Sequence, residues 1–324
     1  MKMDDIARLA GVSKASVSRV LNDKPNVSDK LRKKVEQVLK DYDYQPNLVA
    51  QALNTKKSKL IGVLLPAIGL DLFADIVDGI SSTLQVHGYE MILADFKGDT
   101  SQAMSNLDVF RSKQVDGIIY FPTDNSPEHV AYINQFKIPL IILGHEPEGL
   151  TKKSVSFPDV KATEEIVQYF IDMGCKEITH VAMPKGHAVG KLRVDAYTAL
   201  MKKNGLKPIV YYVDDITYES GYEIAKKIGK TQAIFAAMDR LALGMMRYFI
   251  DEDTIADYYI AGIDNMSVSK MFNPSLTSID FDYYHSGKVS GEMVLNLING
   301  KGVAKIVLPY KLYERESTRR KHVR

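Results

Sequence analysis

From Leu60 onward, short apolar runs alternate with amphipathic stretches, and this alternation limits the possible folds more than any other feature of the chain. The runs lie at 60–65, 91–94, 117–121, 139–143, 178–182, 209–213, 233–236 and 259–261. Helical patterns fall between and after them, at 72–88, 101–113, 160–174, 191–204, 218–229, 238–251 and 284–299. Strand alternating with helix predicts parallel sheets with helices on both faces. A stretch of ~265 residues suits two doubly wound lobes, with a ligand in the crevice at the carboxyl ends of the strands.

The first sixty residues have a different texture. Residues 4–10 read as a short helix with Asp4 and Asp5 in its first turn, where the helix dipole favours anions, and with Ile6, Leu9 and Ala10 on its apolar face. Gly11 permits a tight turn. Ser13 is a good N-cap for a second helix whose apolar positions are Val17, Val20 and Leu21. A third helix starts at Ser28-Asp29 and carries the stripe Leu31, Val35, Val38, Leu39 and Tyr42. Helix, glycine turn and helix form the helix-turn-helix signature, whose second helix offers its first residues to base edges in the major groove. Those residues are Lys14, Ala15, Ser16, Ser18 and Arg19, all off the apolar stripe. Lys and Arg suit guanine O6 and N7, Ala can touch a thymine methyl, and Ser can bond phosphate or base.

The charge points the same way. The chain's net charge of +2 conceals 13 Lys/Arg against 7 Asp/Glu in residues 1–60 and 29 against 33 in the rest. A basic head on a mildly acidic body suggests a polyanionic partner for the head alone, although a solvated helix face gives the same count. The composition, 45% apolar and 25% charged, argues against disorder. A single cysteine, Cys175, leaves no disulfide framework and no multi-cysteine metal site. No secretory h-region stands at the N-terminus, and no run of ~18 apolar residues offers a membrane span. A cytoplasmic location without membrane contact is the expectation.

The run Ile6-Ala7, Ala10-Gly11-Val12-Ser13, Val17-Ser18-Arg19-Val20-Leu21-Asn22, Asn26-Val27-Ser28, Arg32, Lys34-Val35, Tyr44, Pro46-Asn47 resembles the LacI/GalR family of bacterial transcription repressors. The resemblance implies an all-α helix-turn-helix headpiece over 1–45 and a hinge helix and linker over 46–58. After these would come a two-lobe, doubly wound α/β core like that of type I periplasmic sugar-binding proteins. One lobe would comprise 59–157 with 281–308 and the other 158–280 with 309–324, with chain crossings near 156–159, 279–283 and 307–310. The segments 60–66, 115–120, 238–247, 261–265, 274–280 and 315–320 match family landmarks. DNA contacts would add Asn22, Asn47 and Ala50 to the five helix residues. Leu53 would be the wedge that enters the minor groove between base pairs. A two-turn hinge segment cannot hold a helix alone in water, so it needs DNA and the matching helix of a second subunit.

For the ligand, the resemblance implies contacts from Arg193, Asp264, Phe73 and Asp239, and His187 is near enough in sequence to Arg193 to join them. A surface ion pair or a core position would account for the same residues. The loop Pro66-Ala67-Ile68-Gly69-Leu70-Asp71-Leu72-Phe73 lacks most of the polar groups usual in the family, Met238 replaces a common Asn, and Asp159-Val160 replaces an Asp-Asn pair. The segment 185–193 resembles the sucrose-operon repressor branch, and its cations suggest a phosphorylated or acidic sugar. No P-loop, nucleophile elbow, HExxH or cysteine-ligand pattern is present, so no enzymatic role, cofactor or metal is expected. The reading is a homodimeric repressor of a carbohydrate operon, bound to a pseudo-palindromic operator and released by a sugar or sugar phosphate. A catabolite-control-type regulator with a phosphocarrier protein as corepressor is the alternative, and a sugar-binding protein without a transcriptional role is the remaining one. Without leucine heptads after 315–320, a dimer is expected and not a tetramer.

Overall fold

A computed structural model of the chain describes residues 3–21, 25, 27–43 and 57–319. The chain divides into two compact units, Met1–Ser58 and Lys59–Arg324.

In the first unit, helices α1 (Met3–Leu9), α2 (Lys14–Leu21) and α3 (Asp29–Asp41) surround a small apolar core. Ile6, Ala7, Ala10, Val17, Val20 and Val35 are buried in it, and Val12, Leu31 and Val38 pack at its edge. The turn after α1 places Gly11 at φ +57°, in the left-handed region that glycine enters at little cost. Ser13 Oγ accepts from the Ser16 amide at 3.1 Å and Ser28 Oγ from the Leu31 amide at 3.3 Å, so each serine satisfies an otherwise orphaned helix N–H.

The second unit contains two six-stranded sheets. The first is wholly parallel: β1 (Leu60–Leu65) lies between β2 (Glu90–Asp95) and β3 (Gly117–Tyr120), followed by β4 (Leu140–Leu143), β5 (Lys153–Ser156) and the short β11 (Ile306–Val307). The second repeats this plan. There β6 (Ile178–Ala182) lies between β7 (Ile209–Tyr212) and β8 (Ala233–Ala236), and β9 (Tyr259–Ile263) and β10 (Thr277–Asp280) follow. An antiparallel strand, β12 (Lys311–Tyr313), closes that edge. The chain leaves the first sheet after Ser156, returns after Asp280 and crosses again after Val307.

Helices α4 (Asp71–Val86), α5 (Thr100–Ser112), α6 (Pro127–Gln135) and α12 (Tyr283–Ile298) accompany the first sheet. With the second run α7 (Asp159–Asp172), α8 (Ala188–Lys203), α9 (Tyr218–Ala225), α10 (Asp239–Asp251) and the short α11 (Ser267–Met271). Glycines let paired helices cross backbone to backbone. A Cβ on Gly79 of α4 would meet the Tyr284 carbonyl at 2.1 Å, and one on Gly287 of α12 would meet the Ile76 carbonyl at 2.1 Å. Gly221 and Gly244 do the same for α9 and α10.

The fold is thus the helical headpiece and two-lobe α/β core expected above. The elements that the apolar runs did not reveal are α6, α11, β5 and β10–β12. In β10, Thr277 and Ser278 are fully buried yet polar, because their hydroxyls bond within the fold: Ser278 Oγ donates to Asp239 Oδ1 at 2.6 Å and Thr277 Oγ shares a 2.7 Å bond with Thr318 Oγ.

Candidate functional site

The carboxyl ends of the strands of both sheets open on one cleft of about 750 Å3. Such a position is where ligands bind in open α/β folds, and the volume lies within the ~300–1,000 Å3 usual for small-molecule sites. From the first lobe, the cleft is lined by Phe73 of α4, Phe121 after β3, His145 after β4 and Phe157 after β5. From the second come Met183, His187, Arg193, Met238 and Asp264, and Tyr283 stands at the start of α12. Phe73 and Phe121 meet edge to face at 5.1 Å, and Phe157 meets the edge of Tyr283 at 5.3 Å.

Arg193 lies in the wall, 4% exposed, and its nitrogens are engaged by the protein itself. Nε and Nη2 donate to the same Asp159 oxygen at 2.9 and 2.6 Å, and Nη1 donates to the Ala237 carbonyl. Burial is the largest single influence and penalises the Arg193 charge, but Asp159, Tyr283 and Asp264 together outweigh it and hold the pKa above the usual arginine value. His187 caps α8, with Nδ1 accepting from the Gly190 amide at 3.2 Å. Desolvation, and after it the Arg193 charge, depress the His187 pKa to about 4, so the ring is neutral near pH 7.

Asp264 follows β9 with φ +127°, a backbone conformation that L-residues rarely adopt and that often marks functional sites. The Tyr283 hydroxyl donates to its Oδ1 at 2.7 Å. Oδ2 is buried and has no hydrogen-bond partner among the described residues. Burial, and after it the charge of Asp239, push the Asp264 carboxyl up to about 8. Tyr283 is raised well above the usual tyrosine value, by burial first and the Asp264 charge second.

Of the ligand residues expected from sequence, Phe73, His187, Arg193 and Asp264 come together in this cleft. Asp239 does not: Met238 takes the lining position, and Asp239 is fully buried behind it. Its Oδ2 accepts from Ser269 Oγ at 2.7 Å and the Met266 amide at 3.1 Å, and Oδ1 from Ser278 Oγ. These bonds tie α10 to α11 and β10, so the carboxylate is spent inside the second lobe. Sequence reasoning missed His145, Phe121, Phe157, Met183 and Tyr283. Phe121, His145 and Met183 fall within two residues of the end of a strand that the apolar runs mark, and the crevice rule could have selected these three, whereas Phe157 follows β5, which the runs did not reveal. A clasp also joins the lobes: Arg240 of α10 donates to the Gly69 carbonyl at 2.7 Å and to Asp71 Oδ2 at 3.1 Å.

In the headpiece, α2 buries Val17 and Val20 and leaves Lys14, Ala15 and Arg19 exposed, with Ser16 and Ser18 half-buried. Ser16 Oγ lies 2.9 Å from Ser13 Oγ, and Lys14 pairs with Asp4 at 2.9 Å. Asn22, Asn47, Ala50 and Leu53, and with them the expected hinge helix, lie outside the described residues.

A helix-turn-helix unit joined in one chain to a two-lobe, ligand-binding α/β core defines a class: transcription regulators that answer to a small molecule. Residues 2–47 match the model of bacterial regulatory proteins of the lacI family, and residues 58–316 match that of periplasmic binding proteins and sugar binding domains of the same family. The chain belongs to the LacI family. It is 32% identical over 326 residues to the HTH-type transcriptional regulator RegA of Clostridium saccharobutylicum, covering 97% of this chain and 98% of that one. It is also 32% identical to catabolite control protein A of Priestia megaterium, with 97% and 98% covered. Among solved structures it resembles a lac repressor dimer bound to operator and the anti-inducer ONPF, with a TM-score of 0.90, 27% identity and 98% and 99% of the two chains covered. These relatives are transcription regulators, which points away from an enzymatic role. No described helix is long and apolar enough to cross a membrane.

Proposed function

We propose that this chain is a dimeric repressor of a carbohydrate operon, released from its operator when a sugar enters the cleft between the lobes. The observation that carries the ligand half is the bare Asp264 Oδ2, buried at the cleft wall opposite aromatic side chains. A buried carboxyl oxygen without a partner costs free energy whether or not it carries the proton, and a ligand hydroxyl, which can accept or donate, removes that cost. Phe73, His187, Arg193 and Asp264 form the ligand wall in this reading. The exposed face of α2, with Lys14, Ala15 and Arg19 and the flanking Ser16 and Ser18, reads the major groove.

Dimerisation is supported by the likeness to the lac repressor dimer bound to operator. Two subunits present two reading helices, which is what a pseudo-palindromic operator requires. Response to ligand then follows from linkage. A sugar that binds one lobe arrangement more tightly shifts the population toward it, and operator and sugar must weaken each other by the same factor.

The test is a selection of bound sequences from a random duplex pool, followed by anisotropy titrations on the winner with and without sugar. A pseudo-palindrome should emerge, and Arg19→Ala should weaken it by ~1–3 kcal/mol per lost base contact. A pool that shows no enrichment, or an Arg19→Ala chain with undiminished affinity, would refute the assignment. The likeness to catabolite control protein A favours one second reading, in which a phosphorylated carrier protein acts as corepressor at the lobe surface. Under it, operator affinity would rise on adding that carrier and would ignore the sugar.

A further inference from the structure

We infer that the cleft takes a hydroxyl-rich ligand without phosphate or carboxylate groups. The inference rests on the cleft being the effector site and reverses the phosphorylated sugar that the cations of segment 185–193 suggest.

Two of those cations, Lys185 and Lys191, do not reach the cleft. Lys191 pairs with Asp195 at 2.5 Å on the exposed side of α8, and Lys185 lies over the Tyr212 ring at 5.3 Å. Arg193 does reach it, but Asp159 already neutralises its charge, and its Nε, Nη1 and Nη2 are all bonded within the protein. Arg240, close by, is held in the clasp with Gly69 and Asp71.

The helix ends give the same answer. A helix N-terminus is a ready anion site, through free N–H groups and the positive end of the dipole. At this cleft α4, α7 and α10 carry Asp71, Asp159 and Asp239 in their first turns; these side chains do not cap the helices, but their carboxyl groups stand beside the ends an anion would need. The N-terminus of α8 is closed by the neutral His187 ring.

What remains is acidic. With the Asp159–Arg193 pair and the raised carboxyl of Asp264 set aside, the lining carries Asp95, Asp124 and Asp215 against Lys97. Asp124, at the first-lobe side, is held ionised by bonds from Ser126 and Thr100. A phosphate dianion offers acceptors only, and it would meet the carboxylates of Asp95, Asp124 and Asp215. A hydroxyl both donates and accepts, so it can pair with the unpartnered Asp264 Oδ2 in either protonation state. Phe73, Phe121 and Phe157 supply flat apolar surface for the C–H faces of a sugar ring.

The experiment pairs each probe with its own phosphate: glucose, fructose, sucrose and trehalose against their 6-phosphates, and glucose against glucuronate. Melting temperature and calorimetric affinity of the full chain are read at low and physiological salt. The expected result is that at least one neutral sugar binds, that its phosphorylated partner binds ~10-fold or more weakly, and that the neutral affinity ignores salt. A phosphate that binds as well as its parent, or better, overturns this inference while leaving a sugar-responsive regulator in place. If no sugar and no sugar phosphate binds, the inference and the sugar reading of the cleft fall together.

Discussion

Replacing Asp159 with asparagine tests whether Arg193 is first a structural cross-tie and only then part of a ligand wall. Both side chains are about 5% exposed, and two guanidinium N–H groups converge on one carboxylate oxygen at 2.6 and 2.9 Å. The Asp159→Asn change keeps the shape and one acceptor but removes the charge. Arg193 then holds a buried positive charge bonded only to neutral oxygens, the retained amide acceptor and the Ala237 carbonyl. Breaking a buried ion pair in this way costs ~3–5 kcal/mol, far above the ~0–1 kcal/mol of an exposed pair. At ~2–4 °C per kcal/mol for a domain near this size, the core transition should fall by about 6–20 °C.

The assay is differential scanning calorimetry of the full chain, with Lys191→Ala as an internal control. That variant breaks the exposed Lys191–Asp195 pair on the same helix and should cost only ~0.3–0.5 kcal/mol. A double variant, Asp159→Leu with Arg193→Met, should recover most of the loss, because a buried pair replaced by apolar groups of similar volume is often near neutral. If Asp159→Asn costs no more than the Lys191→Ala control, the buried cross-tie is not what holds this wall.

Asp264 predicts a pH dependence. Its carboxyl is raised in the fold to about 8, so the stability it contributes is complete below the ordinary carboxylate range and is lost as pH rises through about 8. His180 and His187, depressed to about 4, act in the opposite sense, but their loss occurs on acidification below the usual histidine value. Between pH 6.5 and 8.5 the wild type should therefore lose stability, by at most ~1.4 kcal/mol per pH unit from this group, and Asp264→Asn should show a flatter curve in urea titrations. Equal slopes would remove Asp264 as the titrating group. Gly79→Ala should cost ~1–3 kcal/mol or more in the same assay, since its Cβ would sit 2.1 Å from the Tyr284 carbonyl; an unchanged midpoint would contradict the close helix crossing. Arg240→Ala should change stability by only ~0–1 kcal/mol, because Asp71 is 56% exposed. It should nevertheless raise the radius of gyration of the ligand-free chain in small-angle scattering. An identical scattering curve would mean the clasp does not restrain the lobes.

The sequence was informative wherever one physical cause shaped a whole segment. Strands β1, β3, β4, β6, β8 and β9 are buried runs, and burial alone makes them apolar, so they could be read directly. Strand β10 is equally buried but carries Thr277 and Ser278, whose hydroxyls bond Thr318 and Asp239, and a polar strand held by side-chain bonds has no apolar signature. The site divides in the same way. Asp264 could be placed at the cleft because the family pattern and the strand-end rule agree on it, and Phe73, inside α4, because the family pattern alone selects it. The commitment of Arg193 to Asp159 could not be read, since the two lie 34 positions apart and only the packing of α7 beside α8 brings them together. Asp239 shows the converse. The family resemblance placed it at the cleft, but its direction was set by three donors behind the wall, from Met266, Ser269 and Ser278. The charge of the cleft was the hardest property to foresee, because it depends on which cations the fold has already neutralised. Lys185, Lys191 and Arg193 look alike as a cluster along the chain. In three dimensions one covers a tyrosine ring, one pairs in solvent and one is tied to a carboxylate. Of the three, only Arg193 reaches the cleft, and its charge is already paired there.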